Sequence, residues 1–179
     1  MSAPPASAKL EPWLRGTLLE LPAEQRAVLH ALELAREDVE RWCETLSEAE
    51  LQARPHGLPS VSFQLRHIVG SLDRLLTYAE GESLSEEQKQ QLSAEMEPSG
   101  SKTEVLAEFQ SGLAAAEARI RKIDPVHWPV ARGVGRKQLP TTVAGLLIHC
   151  ADHTQRHVGQ TVTTAKVVMA MREEKQTKP

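Results

Sequence analysis

At 179 residues the chain suits one domain and is long enough to enclose a core without disulfides. Its 21 Lys and Arg against 24 Asp and Glu leave a net charge of −3, and no stretch gathers the basic residues that a nucleic-acid face requires. Cys43 and Cys150 form no C-x-x-C pair, the N-terminus MSAPPASAKLEPW has no apolar signal core, and no segment reaches the roughly 18 apolar residues of a membrane span, so a cytoplasmic protein in a reducing compartment is expected.

Gly and Pro gather at 54–60, 98–100 and 124–140 and divide the chain into long helical stretches. Val28, Leu32, Ala35, Val39, Trp42 and Leu46 alternate steps of four and three, which predicts a bundle helix entered at Pro22. A second helix starts near Ser60 to Ser62 and carries Leu65, Ile68, Leu72, Leu75 and Ala79 up to Gly81, a typical C-terminal residue. Ser85 with Gln88 and Ser101 with Glu104 match the capping box. The first pair opens a short helix and the second a long one, with a seam of Leu106, Phe109, Leu113, Ala116, Ile120 and Ile123. The segment WPVARGVGRKQLP has room for a short hairpin but a weak strand signal. After it a last helix is expected from about Thr141 to Arg172. The reading is all-α: a four-helix bundle over residues 21–172, with a partly disordered extension at 1–20 and a charged tail at 173–179.

The last helix breaks its own rule. Its seam runs Val143, Leu146, Cys150, His153, His157, Gln160, Thr164, Val167 and Met171, and the middle third is polar. Unpartnered polar groups at core positions cost about 1–3 kcal/mol each, and a metal ion would offset that cost. His153 and His157 stand i, i+4, so two imidazoles share one helix face. His67 on the second helix, with Gly70 leaving space beside it, is the candidate third ligand. Three histidines with open positions is the arrangement of a catalytic site for Zn, Ni or Fe. The competing reading is three core histidines that only hydrogen-bond.

These residues resemble the DinB-like, or YfiT-like, family of metal-binding four-helix bundles. That family shows a histidine early in its second helix, matched here by RHIVGSLDRLL at 66–76. Its last long helix carries a segment close to H-x-x-x-H-x-x-H-H-R-G-Q, matched by HCADHTQRHVGQ at 149–160. The resemblance covers about residues 20–170. It implies that His67, His153 and His157 are the metal ligands, with His149 and Gln160 as flanking positions. Arg156 and Val158 stand where many relatives have histidine and arginine, and neither is a ligand position. The family is similar to bacillithiol- and mycothiol-dependent transferases and isomerases, which implies a divalent metal that activates a low-molecular-weight thiol.

Several roles stay open at this level. His149 is a candidate proton carrier, second-sphere group or substitute ligand, against a packing residue. Cys150 reads as core, and Gln160 either holds a ligand imidazole or bridges two helices. Asp152 and Arg156 read as a solvated pair, and Arg66, Asp73, Arg74 and Tyr78 as structural neighbours of His67. Trp128 either lines a pocket mouth or staples a loop. Functionally, a metal-dependent thiol transferase or isomerase acting on a small molecule stands first, and hydrolysis by metal-activated water second. A non-catalytic metal-binding stress or interaction protein, with a homodimer through exposed apolar positions, is the alternative from another class.

Overall fold

In the computed structural model, which describes residues 10–95 and 100–177, one device starts three helices. Ser47, Ser85 and Ser101 each accept a hydrogen bond from the backbone N–H three residues on, where Glu50, Gln88 and Glu104 return the contact. These capping boxes open α2 (Glu48–Gln52), α4 (Glu86–Ala94) and α5 (Lys102–Lys122) by satisfying backbone donors that a helix start leaves orphaned. The signature at Ser47 was as legible as the other two, yet α2 is absent from the sequence-based reading. Ser60 caps α3 (Val61–Glu80) by accepting from the Phe63 N–H, and Gly81 ends it at φ 90°, the left-handed conformation that glycine adopts without a Cβ penalty.

The hairpin forms. β1 (Ala131–Val134) pairs antiparallel with β2 (Leu139–Thr142), placing Gly133 opposite Pro140. Pro140 is tolerated because a two-stranded ribbon consists only of edges. The strand takes up Thr141 and Thr142, so the last helix, α6 (Val143–Thr177), begins two residues later than expected. The Thr142 hydroxyl accepts from the Gly145 N–H at 3.1 Å. Arg132 Nε donates to the Ala79 carbonyl at 2.9 Å and ties the hairpin to the end of α3.

The first helix, α1 (Ala23–Cys43), completes the bundle. α6 packs on α1 and α3, and α5 packs on the same two from the other side. Leu32, Leu65, Ile68, Phe109, Leu113 and Ile120 lie at 0% exposure in the shared core, as their three-and-four spacing demands. Among the described residues no helix is long and apolar enough to cross a membrane.

Of the extension, residues 1–9 lie outside the described part, but residues 10–20 include a 3-10 turn at Pro12–Leu14. Arg15 there binds Glu33 and Glu37 of α1 at 2.7 Å each. At the other end residues 173–177 continue the helix, since Glu, Lys and Gln are good helix formers and Arg172 is held by the Thr45 carbonyl at 3.3 Å. Pro98, in the second Gly/Pro cluster, and residues 178–179 lie outside the described residues.

Helices α3 and α5 meet closely at Gly112, where an added Cβ would sit 2.6 Å from Val69 Cβ. Alanine is intrinsically favoured over glycine in a helix interior by about 1 kcal/mol, but overpacking costs about 1–3 kcal/mol. Gly112→Ala is therefore expected to lose up to about 2 kcal/mol in urea unfolding, and a gain in stability would overturn this account of the α3–α5 contact.

Candidate metal centre

The two helices that carry the candidate histidines pack against each other, and the packing shifts the core seam of α6. Along the middle of the helix the fully buried positions are Cys150, Thr154, Val158, Thr161, Ala165 and, as the spacing predicted, Thr164, all at 0–1% exposure. This corrects the seam drawn through His153, His157 and Gln160. His153 and His157 lie half-buried beside it, and Gln160 is exposed. A fixed three-and-four pattern drifts against 3.6 residues per turn over a helix this long. Small hydroxyls also tolerate the core because they can bond their own backbone, as Thr161 does to the His157 carbonyl at 2.8 Å. The imidazoles are thereby turned toward α3 rather than into the core.

There they meet His67. One ring nitrogen from each of His67, His153 and His157 lies within 4.8 Å of the others. The ring centroids are 5.1 Å apart for His67–His153 and 4.4 Å for both His67–His157 and His153–His157. Tetrahedral zinc with bonds of about 2.0–2.1 Å needs its nitrogens ~3.4 Å apart, so imidazole closure of about 1.4 Å at most completes the fit. Phe63, one turn before His67, stacks on it at 5.4 Å and 16° and restricts its ring.

Hydrogen bonds orient two of the three rings. His67 Nδ1 lies 2.7 Å from Glu95 Oε2. Burial pushes the Glu95 carboxyl up, but hydrogen bonds from His67 and Arg74 outweigh it and hold the group below its usual range. The ionised carboxylate only accepts, so Nδ1 carries a proton and Nε2, 3.5 Å from Ser71 Oγ, is the nitrogen left for a metal. Gln64, at 0% exposure, does the same for His157. Its amide donates to Gln160 Oε1 at 2.7 Å, so its oxygen accepts from His157 Nδ1 at 2.6 Å. Gln160 thus bridges α6 to α3 and reaches the imidazole only through Gln64.

Protonation favours ligation too. Burial, then the neighbouring His157, His67, His149 and Arg156, push His153 down to about 4. Burial likewise lowers His157, followed by His67 and Arg156, with Glu95 opposing. Neutral imidazole is the ligating form.

The remaining predicted residues divide clearly. His149 is half-exposed, 5.4 Å ring to ring from His153 and 3.4 Å from Asp152 Oδ2, outside the triad but on the same cleft. That cleft, of about 180 Å³, is lined by Ser71, Arg74, Leu75, Tyr78, Leu84, Leu92, His149 and His153. Cys150 is core, its thiol pushed up to about 12 by burial. Asp152 and Arg156 form an exposed pair at 2.9 Å. Arg74 is committed to Glu95 at 2.5 Å and to Ser71 at 3.1 Å, Arg66 binds Glu108 at 2.9 Å, and Asp73 binds Arg119 at 2.7 Å. Trp128 packs against the core and its carbonyl accepts from the Ala144 N–H at 3.0 Å, so it staples the loop. A larger groove of about 670 Å³ between α3, α4 and α5 holds none of the histidines, and its Arg66 and Arg119 are already paired.

Sequence reasoning missed Gln64 and Glu95. Gln64 carried a signal, a polar residue in register with Val61 and Ile68 on a buried face. Glu95 carried none, being one of several acids 28 residues downstream of its partner.

The depressed His153 pKa makes a signed prediction. Between about 6.5 and 4 the unfolded chain binds a proton that the folded chain refuses, so this contribution to stability is complete above 6.5 and is lost as pH falls. In chelator-treated buffer the melting temperature should drop from pH 7 to pH 5, and the drop should be shallower in His153→Asn. Equal slopes would contradict the assignment.

The family model of the DinB superfamily matches residues 31–161, a span that holds all three histidines. No curated protein matches the chain. The fold is similar to that of a crystal structure described as a conserved protein from Enterococcus faecalis, with a TM-score of 0.69 and 17% identity. The match covers 84% of this chain and 99% of that one, and at this identity it speaks for the fold alone. The chain belongs to the DinB superfamily.

Proposed function

We propose that this protein is a metal-dependent enzyme in which His67, His153 and His157 hold one divalent ion, Zn or Ni before Fe, and in which a low-molecular-weight thiol is activated for S-transfer or isomerisation. The observation that carries the reading is the convergence of three imidazole nitrogens from two helices beside a cleft that His153 lines. Among the described residues no carboxylate or thiol joins that group. Three protein ligands leave coordination positions free, as catalytic centres do.

A divalent ion at this centre would supply Lewis acidity that lowers a thiol pKa toward neutrality. The chain does the rest. Gln64 and Glu95 fix two ligand rings, and Leu75, Tyr78, Leu84 and Leu92 offer the apolar part of a small substrate a wall that excludes water. His149, half-exposed on the same cleft, is placed to take the proton that the thiol gives up. Hydrolysis by metal-activated water stands second, because Glu95, the carboxylate beside the centre, is bound on both oxygens and is not free to act as its base.

Protein purified without a histidine tag should retain metal. Zn or Ni at about a thousand times Kd should stabilise it by about 4 kcal/mol, and His67→Ala, His153→Ala or His157→Ala should each abolish that gain. With a small thiol and a chromogenic electrophile, turnover should require metal and fall about 100-fold in His149→Gln, the low end for a general acid–base group. Absence of retained metal together with an unmoved melting point would exclude the centre. Metal binding without any turnover would leave a non-catalytic metal protein.

A further inference from the structure

α4 is a poorly anchored element. It is nine residues long with none of them buried, shorter than the roughly 12–15 residues at which isolated helices become even marginal. Among the described residues, polar contacts near its two ends hold it to α3. Near its start, Gln88 donates to Asp73 Oδ2 at 2.6 Å and Thr77 Oγ1 at 2.9 Å. At its end, Glu95 spans His67 and Arg74 with its two oxygens, and its carboxylate is only 8% exposed. A carboxylate leaves water only for partners, and one of these partners is a candidate metal ligand. The sequence makes room for it: a Cβ on Gly70 would lie 2.6 Å from Glu95 Oε1 and 3.0 Å from the Arg74 guanidinium. Glycine at this mid-helix position is otherwise unfavourable. Between the two anchors, α4 supplies Leu92 to the wall of the cleft beside His153.

We propose that Glu95 is a positioning residue that couples the seating of α4, and with it the shape of the substrate cleft, to occupancy of the His67–His153–His157 centre. The proposal rests on the metal-binding reading above. His67, when it holds a cation, would be polarised and would donate more strongly through Nδ1–H to Glu95, so α4 would be held more firmly. By reciprocity a seated α4 raises metal affinity by the same factor. Without metal α4 opens more often, and the apolar wall at Leu92 opens with it.

The test uses the full chain, zinc alone as the probe, and two readouts: affinity by chelator competition, and hydrogen exchange of residues 86–94 with and without zinc. Glu95→Gln should bind zinc about 10–100-fold more weakly, as expected on losing a carboxylate partner of a ligand histidine. Gly70→Ala should weaken binding in the same direction and by less, because its Cβ forces the ends of the Glu95 and Arg74 side chains to shift. Glu108→Gln, which alters a carboxylate in the neighbouring groove, should bind as the parent does. Zinc should slow exchange in α4 of the parent several-fold and leave it unchanged in Glu95→Gln. A merely structural Glu95 would alter α4 exchange equally with and without zinc. If the parent binds zinc while Glu95→Gln and Gly70→Ala match it in affinity and in the response of α4, the coupling is overturned and the metal centre stands. If the parent binds no zinc, the centre itself falls and the coupling with it.

Discussion

An imidazole ligates a cation only when it is neutral and its free lone pair is aimed, and the region between α3 and α6 is organised around that requirement. Partial burial and mutual proximity keep His153 and His157 unprotonated. Hydrogen bonds through Nδ1, from His67 to Glu95 and from His157 to Gln64, then choose the tautomer. Neither effect suffices alone, since a neutral but freely rotating ring spends most of its time misdirected. Each hydrogen-bond acceptor is itself fixed, Gln64 by Gln160 and Glu95 by Arg74, so the aim of two small rings depends on side chains from α3, from α6 and from the residue that ends α4.

Much of this was legible in the sequence. The seams of Leu65, Ile68 and Leu72 and of Phe109, Leu113 and Ile120, and the serine caps at 85 and 101, report local energetics that neighbours in the chain determine. The i, i+4 spacing of His153 and His157 and the early histidine of the second helix survive folding for the same reason. The phase of α6 was not legible. Thr154 and Thr161 look like surface residues, yet they take the core positions, and only the packing of α1 and α3 against α6 decides which face turns inward. Glu95 was still less legible, because no rule of spacing links a residue at the end of a solvated helix to a histidine on another.

The charge inventory of the cleft bears on what the proposed centre would accept. Three neutral imidazoles leave a divalent cation its full double charge. Arg74 and Glu95 cancel each other at 2.5 Å, and Asp152 is balanced by Arg156 at the rim. With a divalent ion held there, the excess would be positive beside a wall of Leu75, Tyr78, Leu84 and Leu92 that carries one hydroxyl and no charge. Low polarity around an uncompensated cation strengthens its hold on an anion, and among anions available near neutral pH it favours a polarisable one that sheds water easily. A thiolate meets both conditions. A carboxylate ligand in place of one histidine would have halved the excess charge and weakened that preference.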